Sequence, residues 1–130
     1  MTTLEVPMPV FRVPDATAHE AHGSRFAAYV APSRGSGELC AWRLEVPAGL
    51  RGAAHRPTRE EVLLVLDGDL AVTLDGERSV ASAGDVVLVA AGSELQVDGG
   101  PGGATAWVTT SAGIEALLPD GSTLTPPWSL

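Results

Sequence analysis

The sequence contains no lysine and one cysteine. Its eight basic residues are all arginines, set against sixteen acidic ones, for a formal net charge of -8. A surface so charged repels phosphate backbones, so no nucleic-acid partner is expected. The single thiol, Cys40, has no partner within the chain for a disulfide, which fits a reducing, cytoplasmic compartment. No stretch approaches the roughly 20 apolar residues that a spanning helix needs, so no membrane association is expected. Met1 to Val10 has no basic segment leading into an apolar run, and a signal peptide is not expected there. Internal repeats, low-complexity tracts and sustained helical periodicity are also missing.

What is present is a globular composition. Hydrophobic residues make up 45 % of the 130 positions, enough to build one core. They fall in short segments separated by turn signals about every ten residues, the spacing of an all-β sandwich or barrel. Pro9–Val13 reads as a short edge strand, followed by an irregular stretch holding His19 and His22. Phe26–Val30 reads as a second strand and Pro32–Gly37 as a loop. Leu39–Val46 alternates firmly, with Cys40, Trp42, Leu44 and Val46 on one face and Arg43 and Glu45 on the other. Glu61–Leu66 is an apolar run closed by Asp67-Gly68. Leu70–Leu74 then leads into Asp75-Gly76, a dipeptide suited to a tight hairpin, with Ser79–Ala81 returning antiparallel. Val86–Val89, Leu95–Val97 and Ala104–Thr110 complete the strands, with a glycine-rich loop over Gly99–Gly103. Ile114–Leu118 and Ser122–Leu124 flank Asp120-Gly121 as a terminal hairpin. A flat sheet of this size would leave an apolar face bare, so closure or a second sheet is required.

Two segments carry a more specific pattern. Gly49, His55-Arg56-Pro57, Glu61 and Gly68 have the spacings of the first cupin motif. Gly84-Asp85, Ala90-Ala91-Gly92 and Leu95 resemble the second. Family members usually carry histidine where Pro57 and Leu95 stand and proline where Ala90 stands. The resemblance implies an all-β, cupin-type jelly-roll barrel, a double-stranded β-helix, of the kind found in small bacterial cupins. The expected organisation is a single cupin domain over 1–130, with N-terminal strands and loops at 1–37, the barrel core at 38–112 and a C-terminal hairpin and tail at 113–130.

Residues two apart on a strand, such as 55 and 57, share a face, and the resemblance implies that the family's motif histidines and glutamate converge inside the barrel, a donor set suited to iron, manganese, nickel or zinc. Here His55 and Glu61 survive and Pro57 and Leu95 cannot ligate. A tight site wants three or four protein ligands, so the expectation is a degenerate metal site and no cofactor. The alternative is a divalent transition metal weakly held by His55 and Glu61, with His19 or His22 as a third ligand.

His55 and Glu61 are the candidate catalytic residues, as an acid/base pair if they face each other or as a structural ion pair if they do not act. Trp42, Cys40, Leu63, Leu95 and Trp107 are the candidate ligand-binding residues of an apolar pocket. Arg43, Arg56 and Arg59 are anion-anchoring candidates better suited to the rim or surface. The Pro126-Pro127-Trp128 tail docks either across the barrel or on a partner subunit. The expected partner is a small molecule, and the resemblance implies a homodimer, to which Val62, Leu64 and Leu66 would offer an outer face. Three functions fit: a metal-independent isomerase or cyclase, a non-enzymatic small-ligand binding module, and a metal-dependent dioxygenase or polyketide cyclase with an incomplete ligand set.

Overall fold

The structure, a computed structural model, describes residues 10–130. Ten strands follow in order: β1 (Thr17–Ala21), β2 (Ser24–Val30), β3 (Leu39–Val46), β4 (Arg56–Pro57), β5 (Glu61–Leu74), β6 (Glu77–Ser82), β7 (Val86–Val89), β8 (Leu95–Ser111), β9 (Ala116–Leu117) and β10 (Thr123–Leu124), with single-turn 3-10 segments before β1, between β2 and β3, and after β10. One sheet runs β1-β2-β3-β8-β5-β6, and β7 joins it on β5. A smaller sheet runs β10-β9-β4. All pairings are antiparallel. The result is all-β, as the strand spacing predicts, and is the jelly-roll barrel that the resemblance implies.

β3 is the strand read most directly from sequence. Cys40, Trp42, Leu44 and Val46 are buried, while Arg43 and Glu45 are exposed and meet in an ion pair at 3.9 Å. Leu63, Val65, Leu70, Val89 and Val108 fill the barrel from β5, β7 and β8, each contributing about 1.5–3 kcal/mol of burial.

Three segments differ from the sequence reading. Val10 to Arg12 forms no strand and Val13–Asp15 is a 3-10 turn, with Pro9 outside the described residues. The first strand lies later, over the stretch taken as irregular. It returns through His22-Gly23, both at positive φ, which a two-residue hairpin turn requires. Second, Asp67-Gly68 does not end a strand. β5 runs through it with register shifts against β8. Third, Gly99–Gly103 is not a separate loop, because β8 continues across it. The last two share one cause. β5 and β8 bend together at a barrel corner, and glycine is what lets their backbones touch. A Cβ on Gly68 would stand 2.1 Å from the Gly103 carbonyl oxygen, and one on Gly100 would stand 2.8 Å from that of Asp69.

Candidate functional site

The barrel holds a cavity of about 130 Å³, walled in part by the β1–β2 hairpin and the C-terminal tail. His55, Pro57, Glu61 and Leu95 all line it. These are the four motif positions, and the register explains why they meet. His55 and Leu95 form a two-hydrogen-bond bridge, N···O 3.0 and 2.7 Å. Pro57 lies two residues on, and Glu61 enters from the first residue of β5.

The loop that carries His55 is held flush against β8. Gly52 donates its N–H to Asp98 Oδ1 at 2.9 Å, and a Cβ on Gly52 would collide with the Val97 carbonyl oxygen at 2.1 Å. Asp98 also accepts from Arg78 Nη1 and Gln96 Nε2, each at 3.1 Å. Burial opposes its charge, but the Gly52 amide, the Gln96 amide and the Arg78 guanidinium outweigh that and hold its carboxyl below the usual range. This anchor was not visible in the sequence, since its partners are spread over residues 52, 78, 96 and 98.

The His55 ring is oriented by Nδ1, 3.1 Å from the Ala53 carbonyl oxygen. A carbonyl only accepts, so Nδ1 carries the proton, and in the neutral ring Nε2 is the free lone pair. Glu61 is buried, and among the described residues nothing hydrogen-bonds to its carboxylate. Burial pushes its pKa up to about 7. No ion pair joins the two among the described residues. They share a cavity and do not form a direct pair.

Of the expected ligand-binding residues, Trp42, Leu63 and Leu95 line the cavity, and Cys40 and Trp107 do not. Trp107 sits opposite Arg43 and Leu64 in the sheet, on the outward face, where it packs on Tyr29 at 5.3 Å. Cys40 lies beneath the tail and donates its thiol to the Ser129 carbonyl at 3.3 Å; burial raises its pKa, which makes a poor nucleophile. Arg43, Arg56 and Arg59 are likewise absent from the lining. Arg56 instead ties the Gly92 carbonyl, Asp75 and Glu94 together.

The tail docks across the barrel of its own chain. β9 pairs with both β4 and β10, and Thr58 and Glu115 exchange hydrogen bonds at 2.8 and 2.9 Å. Trp128 then turns inward, stacks on Phe26 and meets Trp42 edge-on at 6.4 Å. Trp128 and Phe26 therefore wall the cavity, although neither stood out in the motifs. The signal available was the placement of one of three tryptophans next to the C-terminus.

The donor set does not fit a tightly held metal. His22 at the β1–β2 turn also reaches the cavity wall, but no three His, Cys, Asp or Glu side chains among the described residues come together closely enough to hold an ion. His19 lies on β1, 6.2 Å from Trp128. Pro57 and Leu95 have no lone pair to offer.

An antiparallel barrel with a ligand-sized interior and motif residues converging on it defines a cupin. The model of the cupin domain matches residues 42–106, half of the chain, and the chain belongs to that family. No curated protein matches it significantly. Among solved structures it is similar to an RmlC-like cupin from Shewanella frigidimarina, at 22 % identity and a TM-score of 0.67, covering 77 % of this chain and 86 % of that one. It is also similar to the polyketide cyclase RemF from Streptomyces resistomycificus, at 17 % identity and 0.72, covering 80 % and 79 %. A variant of oxalate decarboxylase from Bacillus subtilis matches at 17 % identity and 0.70, over 78 % of this chain and 28 % of that one. At these identities the likeness is one of fold.

Proposed function

We propose that this cupin binds a small molecule in its barrel and moves a proton on it without a metal, as an isomerase or cyclase does. The observation that carries the reading is the placement of His55 and Glu61 on one apolar cavity, with Glu61 titrating near neutrality. In this reading His55 Nε2 takes a proton from carbon while protonated Glu61 donates one to the developing oxyanion. Positioned acid/base groups of this kind contribute about 10²- to 10⁴-fold. The site is degenerate in the sense that Pro57 and Leu95 replace ligands with apolar wall, so the metal role has given way to a pocket.

Deuterium exchange tests this. An enolisable cyclic ketone, cyclohexanone, is incubated in D₂O with chelator-treated protein and followed by NMR. Exchange faster than buffer that falls to background in His55→Ala and Glu61→Gln, with both variants folded, supports the reading. Exchange unchanged in both variants overturns it and leaves the non-enzymatic binding module, which predicts saturable binding without exchange.

The proposal extends to the assembly. Val62, Leu66, Val86 and Leu88 are exposed on the outer face of β5 and β7, and a homodimer through that face would cover them. A single domain over 1–130, acting in the cytoplasm on a small molecule and not on nucleic acid, completes the picture. No helix among the described residues is long and apolar enough to cross a membrane.

A further inference from the structure

Residues 125–130 are fastened to the barrel by one ring and little else. Trp128 lies on the Phe26 ring, 3.7 Å between centroids and 6° from parallel, with Trp42 edge-on at 6.4 Å and the His19 ring at 6.2 Å. The backbone around it adds no ladder. Pro126 and Pro127 have no N–H to give, and the amides of Ser129 and Leu130 bond within the tail, to the carbonyls of Pro126 and Pro127. Among the described residues two hydrogen bonds join this segment to the rest of the chain, from Cys40 to the Ser129 carbonyl and from Ser33 to the Leu130 carbonyl. Just before it, β10 holds to β9 over two residues. A segment with so few backbone bonds belongs to the class that opens locally while the sheets stay folded.

The docked ring is also imperfectly matched to its place. The Trp128 indole N–H is closed off from solvent and has no acceptor among the described residues. A buried donor without a partner is uncommon in native proteins and forfeits its hydration; water restores it when the tail lifts. Phe26, Trp42 and Trp128 share the lining of the cavity with His55 and Glu61. Lifting Trp128 therefore joins the Phe26 ring face to the existing volume of about 130 Å³. A free ring no larger than indole gains nothing there over a ring tethered to the chain. A longer planar ring system gains the stack and the apolar chamber together. Two histidines, His22 and His55, and two glutamates, Glu61 and Glu115, line that volume, so acidic and basic substituents each have a counterpart. Ring size and planarity, not charge, are what the site selects.

We propose, building on the small-molecule reading above, that Trp128 is a built-in occupant of the ligand site and that the ligand is a planar fused-ring molecule, which displaces the tail, stacks on Phe26 and reaches in toward His55 and Glu61. The docked tail is the resting state, and the ligand selects a minor open one. Opening uncovers Cys40, whose Sγ lies 3.3 Å from the Ser129 carbonyl oxygen, so the chain's single thiol reports it.

β-Carboline, a planar tricycle that contains an indole, is the probe, with indole and cyclohexanone as comparators. The full chain carries 5-fluorotryptophan, its signals assigned through Trp128→Phe and Trp107→Phe. Saturating β-carboline should move the Trp128 fluorine signal to its unfolded-chain position and leave Trp107, on the outer face, at its native one. Alkylation of Cys40 by iodoacetamide should become at least about tenfold faster. Indole should bind at least roughly tenfold more weakly than β-carboline, the share of affinity that the chamber adds. Cyclohexanone should leave both the Trp128 signal and Cys40 unchanged. In Trp128→Ala the alkylation should be fast without any guest; should that variant not fold, the parent protein decides alone. If β-carboline leaves the Trp128 signal in place, slows alkylation or binds no better than indole, the tail is a fixed wall and the proposal fails. It fails too if the Trp107 signal is lost along with that of Trp128, because the barrel then unfolds as a whole. Deuterium exchange on cyclohexanone, which is small enough for the closed cavity, judges the small-molecule reading separately: exchange that persists while no guest lifts the tail sinks the tail proposal alone.

Discussion

The Trp128 indole lies flat on the Phe26 ring, 3.7 Å between centroids and 6° from parallel, which joins the last turn of the chain to the second strand. Their separation in sequence makes the contact a clasp. It is reinforced by Cys40 and Ser33, which donate to the carbonyls of Ser129 and Leu130. Trp128→Ala is expected to cost about 3 kcal/mol in urea unfolding, at the low end for a buried tryptophan. Trp128→Phe should cost less than about 1 kcal/mol, since the ring remains and a buried unpaired donor is removed. A small loss in Trp128→Ala would mean that the tail unfolds apart from the barrel.

Glu61 predicts an unusual pH dependence of stability. Its pKa rises from 4.5 to about 7 on folding because burial disfavours the charge. The native state therefore binds more protons than the unfolded chain between these values. Its contribution is fully present below pH 4.5 and is lost as pH rises through 7. The loss is on the order of 3 kcal/mol at about 1.4 kcal/mol per pKa unit. Asp98 acts oppositely, at pH values below the normal carboxylate range, so the two windows do not overlap. Glu61→Gln should flatten the decline between pH 5 and 8 in denaturant titrations and be more stable than the parent at pH 8. Equal slopes in parent and variant would show that Glu61 is not the titrating group.

Two glycines of the first motif should respond differently to alanine. Gly68 has φ +73° and a Cβ there would sit 2.1 Å from the Gly103 carbonyl oxygen; Gly49 has φ +68° and open space around it. Gly49→Ala carries only the left-handed backbone cost, about 1–2 kcal/mol. Gly68→Ala adds a backbone collision that only a shift of β5 against β8 relieves, so its loss should exceed about 3 kcal/mol, read by thermal unfolding.

The contrast also marks what the sequence could disclose. Alternation over Leu39–Val46 reports burial because each side chain's environment depends on parity alone. Strand geometry carries His55 and Pro57, two apart, to one face, and the cupin resemblance implied that Glu61 and Leu95 join them. Gly68 was read as a strand end and Gly99–Gly103 as a loop, since a glycine chosen for close strand approach looks like one chosen for a break. Trp107 was assigned to the pocket because its strand was recognised but its parity was not anchored. The Pro126-Pro127-Trp128 tail was read as docking either across the barrel or on a partner, but its contact with Phe26, and the Asp98 anchor, were illegible for a different reason. Their partners lie on other strands, and only the closed barrel brings residue 26 to 128 or 52 to 98.

The four motif positions predict that a coordination site can be rebuilt. His55 and Glu61 line the cavity with Pro57 and Leu95, and the His55–Leu95 bridge fixes the register between the two motifs. Replacing Pro57 and Leu95 together by histidine would place three imidazoles and a carboxylate around one point, a complete ligand set for nickel, cobalt or zinc. Without metal the double variant should be less stable by about 2 kcal/mol or more, because two polar rings replace apolar wall. With metal that loss should be recovered in proportion to affinity. Elemental analysis after desalting should find about one ion per chain in the double variant, and calorimetry should show binding on the order of a hundredfold tighter than in the parent. Adding His55→Ala to the double variant should release the ion. If the double variant folds but gains no affinity, the four side chains do not converge. The acid/base reading of His55 and Glu61 would then lose its geometric basis as well, because both readings require these positions to face one point.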